Sequence, residues 1–186
     1  MTVADNRTFT QALGSAADQA TEGPSGLTFA GFYGLFADRY LAENDATRRD
    51  FAAVVVKNRA YGVSNPRAHF QEPVTAGKVR DSKRIADPLR LYDCCPASDG
   101  ATAVILAADD IAERVTDQPN NVAAAGHACG RSAAYYYDDL TTFQATEGAS
   151  GEAYDAASLG PGDVDVVELH DCFTPAEIDE AEDLGF

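Results

Sequence analysis

Lysine is scarce in this chain. There are three, Lys57, Lys78 and Lys83, among fourteen bases that face thirty acids, for a formal net charge of −16. A surface of that sign repels DNA, RNA and anionic lipid, so neither nucleic acid nor membrane is an expected partner. The carboxylates are spread through every segment rather than gathered in a tail, which excludes a disordered acidic arm. Like-charge repulsion works against a compact state, and salt screens it over a Debye length of about 3 Å at 1 M. Few lysines and many aspartates therefore predict a halophilic, salt-rich cytoplasm.

Other scarcities narrow the class further. No apolar run approaches the roughly 18 residues of a membrane span. The stretch Met1-Thr2-Val3-Ala4-Asp5-Asn6 lacks the basic and apolar regions of a signal peptide, so a cytoplasmic location is expected. The four cysteines, Cys94, Cys95, Cys129 and Cys172, include no CxxC pair, and His69, His127 and His170 lie far apart. Neither a disulfide framework nor a structural metal is expected from that spacing. No internal repeat occurs. What remains is ordinary for a globular protein: 186 residues, 45% of them hydrophobic, enough to bury roughly 70% of the unfolded surface.

Periodicity supplies the elements. Phe32, Leu35, Phe36 and Tyr40 make one apolar helical stripe that Asn44 and Asp45 end. Thr47 and Asp50 are spaced as a capping box for a second helix, with Phe51, Val54 and Val55 inward and Gly62 as its stop. Residues 63–100 are broken by Asn65-Pro66, Glu72-Pro73, Asp87-Pro88 and Cys95-Pro96, with room for one short helix near 76–82. A long irregular excursion of this kind is usually functional or an assembly element. Beyond it, strands are predicted at Ala101–Ala107, Val122–Gly126 and Val164–Leu169, and helices at Asp109–Val115, Thr142–Ala157 and Thr174–Leu184. Such alternation predicts an α/β fold. Tyr135-Tyr136-Tyr137 reads as packing in so acidic a chain.

The stretch from Val164 to Glu177 carries the most chemical information. Its first half is a strand. Its second half starts a helix, with Thr174 as N-cap, Pro175 in the first turn and Glu177 three residues on. His170 and Cys172 then lie on a tight turn at the strand's C-terminal edge, where open α/β sheets place reactive groups. A helix N-terminus favours thiolate over thiol, and a nearby imidazole adds a proton partner. Asp171 either orients His170 or faces water. The spacing also leaves open a satisfied structural histidine beside a small buried thiol.

The loop His170-Asp171-Cys172-Phe173 resembles the HDCF motif of sterol-carrier-protein-2-type and archaeal thiolases. Lys57-Asn58 and Asn65-Pro66-Arg67-Ala68-His69-Phe70-Gln71 resemble two further stretches of that group, in order and spacing. Asp87 to Gly100, through Cys94-Cys95-Pro96-Ala97-Ser98, is similar to the exit from its loop domain. The resemblance covers essentially the whole chain. It implies a partial thiolase fold, layered αβαβα in full, with an irregular loop domain at about 63–100. Residues 1–118 would be the later part of the N-terminal half, and 119–186 the start of the C-terminal half.

The implied activity is acyl-CoA C-acyltransfer: thiolytic cleavage of a 3-ketoacyl-CoA, or the reverse Claisen condensation. By resemblance, His170 is an oxyanion-hole donor to the thioester oxygen, a type of contact worth roughly 3–4 kcal/mol. Cys172 is the acid/base or its close support, and Cys95, Pro96, Ala97 and Ser98 lie along coenzyme A, a substrate and not a bound cofactor. A homo-oligomer or a complementing thiolase chain is the implied partner. Three departures qualify this. No residue matches the group's acyl-accepting cysteine, none matches its late glycine-histidine-proline and second cysteine loops, and Cys95 stands where serine is expected. His127, followed by Ala128, does not stand in for the missing histidine. Without its nucleophile an acyl-enzyme cannot form. The expectation is therefore an incomplete thiolase, inactive alone; one subunit of a split enzyme and a non-catalytic CoA-binding or scaffold module are the alternatives.

Overall fold

The computed structural model describes residues 6–186, and among these the side chains at 8 and 10–186. Helix α1 spans Asn6–Gly14 and α2 spans Phe29–Glu43, the latter begun by Thr28, whose Oγ1 accepts from the Gly31 N–H at 3.1 Å. Phe36 and Tyr40 of the predicted stripe are buried, whereas Leu35 is exposed. Helix α3, Arg48–Ser64, carries the expected capping box: the Thr47 N–H donates to Asp50 Oδ2 at 2.7 Å. Phe51, Val54 and Val55 are buried as predicted. Gly62 does not end this helix, which runs two residues further to Ser64. It serves close approach instead, since a Cβ there would sit 2.7 Å from the Phe70 carbonyl oxygen.

The irregular stretch holds the expected short helix, α4 (Ala76–Arg80), and a hairpin the sequence did not suggest, β1 (Arg84–Ala86) against β2 (Leu89–Arg90), antiparallel. A single turn of 3-10 helix over Leu91–Asp93 follows. Helices α5 (Asp109–Val115), α6 (Gln144–Ala157) and α7 (Thr174–Asp183) lie where periodicity put them.

The predicted strands do not form. Residues 101–107, 122–126 and 164–169 have no ladder, and β1–β2 is the sole sheet among the described residues. Val104, Ile105 and Leu106 are 80%, 93% and 81% exposed, not buried. A strand needs a neighbour for its N–H and C=O groups; these segments make no such ladder bonds. They keep strand-like composition without strand pairing, and the α/β class is carried by the likeness to solved relatives reported below.

Two clusters form the core. One joins Ala37, Tyr40, Phe51, Leu89, Cys172, Phe173 and Ala176, so that α2, α3, β2 and α7 meet. Tyr33 stacks on Phe173 at 4.6 Å and Phe36 on Phe143 at 5.2 Å. Burial of each such side chain contributes roughly 1.5–3 kcal/mol. The other cluster, Ala52, Val55, Val74 and Val79, fixes α4 on α3. Of the three tyrosines expected to pack, Tyr137 packs against Phe36, whereas Tyr135 and Tyr136 pack on each other at 4.0 Å and stay exposed.

Candidate functional site

The loop before α7 is held from two sides. The Cys172 N–H donates to the His170 carbonyl at 2.9 Å, which makes the tight turn. From the other strand-like segment, the Cys95 N–H donates to the Cys172 carbonyl at 3.0 Å, and Cys94 faces Phe173 in an antiparallel bridge. Buried Asp93 anchors the same junction. Its carboxylate accepts from the Arg90 N–H at 2.8 Å and from the Thr174 hydroxyl at 3.3 Å, and Arg48 lies 3.5 Å away. Residues distant in sequence, 93–95 and 172–174, thus share one seam.

The N-terminus of α7 differs from expectation. The N-cap is Phe173, with no side-chain cap, and Thr174 is already helical. Glu177 closes no capping box. It pairs instead with Lys57, while Asn58 Nδ2 donates to Glu177 Oε2 at 2.5 Å and to Asp171 Oδ2 at 2.6 Å. The Lys57-Asn58 pair of α3 therefore braces the turn, a role its sequence position alone gave no means to assign. Asp171 neither orients His170 through a hydrogen bond in the structure nor simply faces water. Burial pushes its carboxyl up, against the lowering effect of Asn58.

Electrostatics reverse one expectation. The helix N-terminus does not leave Cys172 a thiolate. Cys172 is 8% exposed, and burial pushes its thiol up to about 11, with a Tyr33 hydroxyl contact opposing the rise and Cys95 and Glu180 adding to it. Desolvation outweighs the partial charge of the helix end. Cys172 is thus a proton-bearing thiol at neutral pH. Cys95 is exposed, yet its thiol is also raised, first by desolvation and then by Asp171. His170 is exposed on the turn, its N–H donating to Glu180 Oε2 at 3.1 Å.

Beside the seam opens a cleft of about 660 Å³, within the usual range for small-molecule sites. Of the predicted site residues, Cys95 and Pro96 line it; buried Cys172 and exposed His170, Ala97 and Ser98 do not. Asn58 and Asp171 line it as well. Two cations that the sequence did not point to also line the cleft. Arg59 lies over the Phe70 ring at 3.8 Å and 5.6 Å from the Tyr92 centroid, and Lys78 is 5.8 Å from Tyr92. The available signal was faint: Lys78 is one of three lysines, and Arg59 follows Lys57-Asn58 directly. No group of histidine, cysteine and carboxylate side chains suited to a metal ion occurs among the described residues.

Comparison with known proteins bears directly on this seam. Residues 126–186, which include the His170–Phe173 loop, match the family described as thiolase C-terminal domain-like. Over 95% of its length the chain is 45% identical to an acetyl-CoA acetyltransferase from Methanothermobacter thermautotrophicus, covering 46% of that protein. The chain belongs to the thiolase superfamily. The benzoylsuccinyl-CoA thiolase subunit BbsB from Thauera aromatica is 35% identical over 97% of this thiolase chain and 48% of its own length. A chain of the Ltp2-ChsH2(DUF35) aldolase superposes with a TM-score of 0.71 and 30% identity, covering 91% of this chain and 48% of its own. The fold is therefore that of a partial α/β thiolase, and the chain spans about half the length of the relatives it matches.

Proposed function

We propose that this chain supplies the HDCF loop and the coenzyme-A-facing wall of a thiolase-type acyl-CoA C-acyltransferase. The observation that carries the reading is the joining of 94–95 to 172–173 beside a cleft that Arg59 and Lys78 also line. In a chain of net charge −16, two cations over aromatic rings in one cleft suit the phosphates and adenine of a nucleotide. Residues 1–118 form the later N-terminal half with its loop domain, and 119–186 begin the C-terminal half. The family match from residue 126 supports that division.

In this reading His170 donates a hydrogen bond to the thioester oxygen as negative charge develops on it. Cys172, protonated at neutral pH, delivers a proton to the α-carbon, and the thiolate this leaves takes a proton back in the reverse direction. Asn58, through Asp171 and Glu177, holds the turn that presents both. The acyl-accepting thiol comes from polypeptide outside these 186 residues, in the same protein or in a complementing chain. The word "subunit" in the name of the Thauera relative favours assembly with other chains.

Isothermal titration of the chain with coenzyme A tests the first element. Binding is expected, weakened about tenfold or more in Arg59→Ala by loss of one desolvated cation contact. Absence of binding by the folded chain would refute the assignment of the cleft. A non-catalytic CoA-binding module is the second reading, favoured by the position of His170 outside the cleft. Thiolysis by the chain combined with a polypeptide carrying the remaining thiolase segments separates the two: turnover lost in Cys172→Ala supports the enzyme, and no turnover despite CoA binding supports the module.

A further inference from the structure

We propose that Cys95 and Cys172 form a dithiol site that low-molecular-weight disulfides of the glutathione class oxidise to an intramolecular disulfide, and that thiols reopen. Cys94 and Phe173 face each other across an antiparallel bridge, so the next opposed pair along the two segments is Cys95 and Cys172. The hydrogen bond from the Cys95 N–H to the Cys172 carbonyl, 3.0 Å, marks that register. One ladder bond joins the pair, the Cys172 N–H turning instead to the His170 carbonyl; opposed residues on adjacent antiparallel segments have Cα atoms about 4.5–5.5 Å apart and side chains on one face. Disulfides span about 4.4–6.8 Å between Cα atoms. The two thiols also sense each other electrostatically, since Cys95 adds to the rise in the Cys172 thiol.

The adjacent cysteine is not a competitor. Successive side chains along an extended segment point to opposite faces, and Cys94 Sγ donates to the Arg90 carbonyl at 3.4 Å, away from the pair. Cys95 is exposed on the cleft wall, open to an external disulfide, and Cys172 is the buried resolving thiol. The pair depends on the cysteine that stands where the resemblance leads to serine, so it is a property of this chain.

The chemistry balances with the external disulfide as oxidant. The Cys95 thiolate attacks one sulfur of R–S–S–R; that S–S bond breaks and one RSH leaves, with the proton Cys95 gave up. The Cys172 thiolate then attacks the Cys95 sulfur of the mixed disulfide and releases the second RSH. Two protein thiols lose two electrons and two protons, and the external disulfide gains both as two thiols. Burial keeps both cysteines protonated near neutrality, so the exchange is slow there and accelerates with pH. On the function proposed above, the same bond withdraws the proton-carrying thiol from the acyl-CoA site. That consequence rests on the reading given there; the dithiol itself does not.

The folded chain is incubated with oxidised glutathione at mildly alkaline pH, quenched with acid, alkylated, digested and analysed by mass spectrometry. Two of the four thiols are expected to resist alkylation, in a linked peptide joining residue 95 to residue 172 that dithiothreitol dissolves. The link persists in Cys94→Ser and in Cys129→Ser and is absent in Cys95→Ser. If Cys95→Ser fails to fold, persistence in the other two variants still decides. Glutathione retained on Cys95 with Cys172 alkylatable, or a link that vanishes in Cys94→Ser, overturns the proposal. Neither result bears on coenzyme A binding, so the two proposals fail separately.

Discussion

Asp179 has both carboxylate oxygens buried and without a hydrogen-bond partner, at 0% exposure on α7. Burial is the main reason its carboxyl is pushed up to about 8, and Asp183, Glu182, Asp139 and Glu180 add to it. Tyr40 of α2 also faces this group, its hydroxyl donating to Glu182 Oε1 at 2.6 Å. A carboxyl whose pKa is raised by folding stabilises the native state fully below its unfolded value, near 3.8. That contribution is lost as pH rises towards about 8. Denaturant midpoints measured across this window should therefore fall with pH, and Asp179→Asn should flatten the decline. The gain in the variant at the alkaline end is on the order of a few kcal/mol. An unchanged pH profile in the variant would show that Asp179 does not titrate in this range. None of this was legible in the sequence, where Asp179 is one of thirty acids; burial by packed helices decided it.

At the scale of elements, the junction of the Leu91–Asp93 turn with α7 is the part on which the site depends. Asp93 is buried and serves an N–H of the loop exit, the hydroxyl of Thr174 and the guanidinium of Arg48 together. Removing one partner of a buried hydrogen bond leaves the other unsatisfied, at about 1–3 kcal/mol. Asp93→Ala should lower the unfolding midpoint by that order. It should also speed hydrogen exchange at the Cys95 amide, whose bond to Cys172 relies on the same seam. Faster exchange there without a matching change in α1 would localise the effect; unaltered Cys95 protection would contradict the anchoring role. The helices α2 to α7 were legible because each needs only its own backbone partners: the Thr47–Asp50 capping box and the end of α2 at Asn44 stand as read, while Leu35 of the stripe faces out. The Thr174 cap was misread because the hydroxyl goes to Asp93, 81 residues away, rather than to its own helix.

For the molecule as a whole, charge is the dominant fact. Thirty acids against fourteen bases impose repulsion that exposed pairs such as Arg39–Glu43 scarcely offset. No helix among the described residues is long and apolar enough to cross a membrane. Thermal unfolding is expected to shift upward between low salt and molar KCl as screening shortens to about 3 Å. A chain that holds its fold in dilute buffer and loses it in molar KCl would contradict the halophilic expectation.

Composition, periodicity and the His170–Phe173 motif, all properties of the chain's linear order, determined by themselves the family, helices α2 to α7 and the loop on which chemistry would be placed, but not α1. Local hydrogen bonds and local caps suffice for those, so order along the chain was enough. Whether Cys172 bears a proton, what Lys57 and Asn58 hold, which cations share a cleft with Cys95, and whether Val104–Leu106 pair with anything were decided only by tertiary contact. Desolvation, ion pairing across helices and strand ladders all require groups that the sequence keeps far apart.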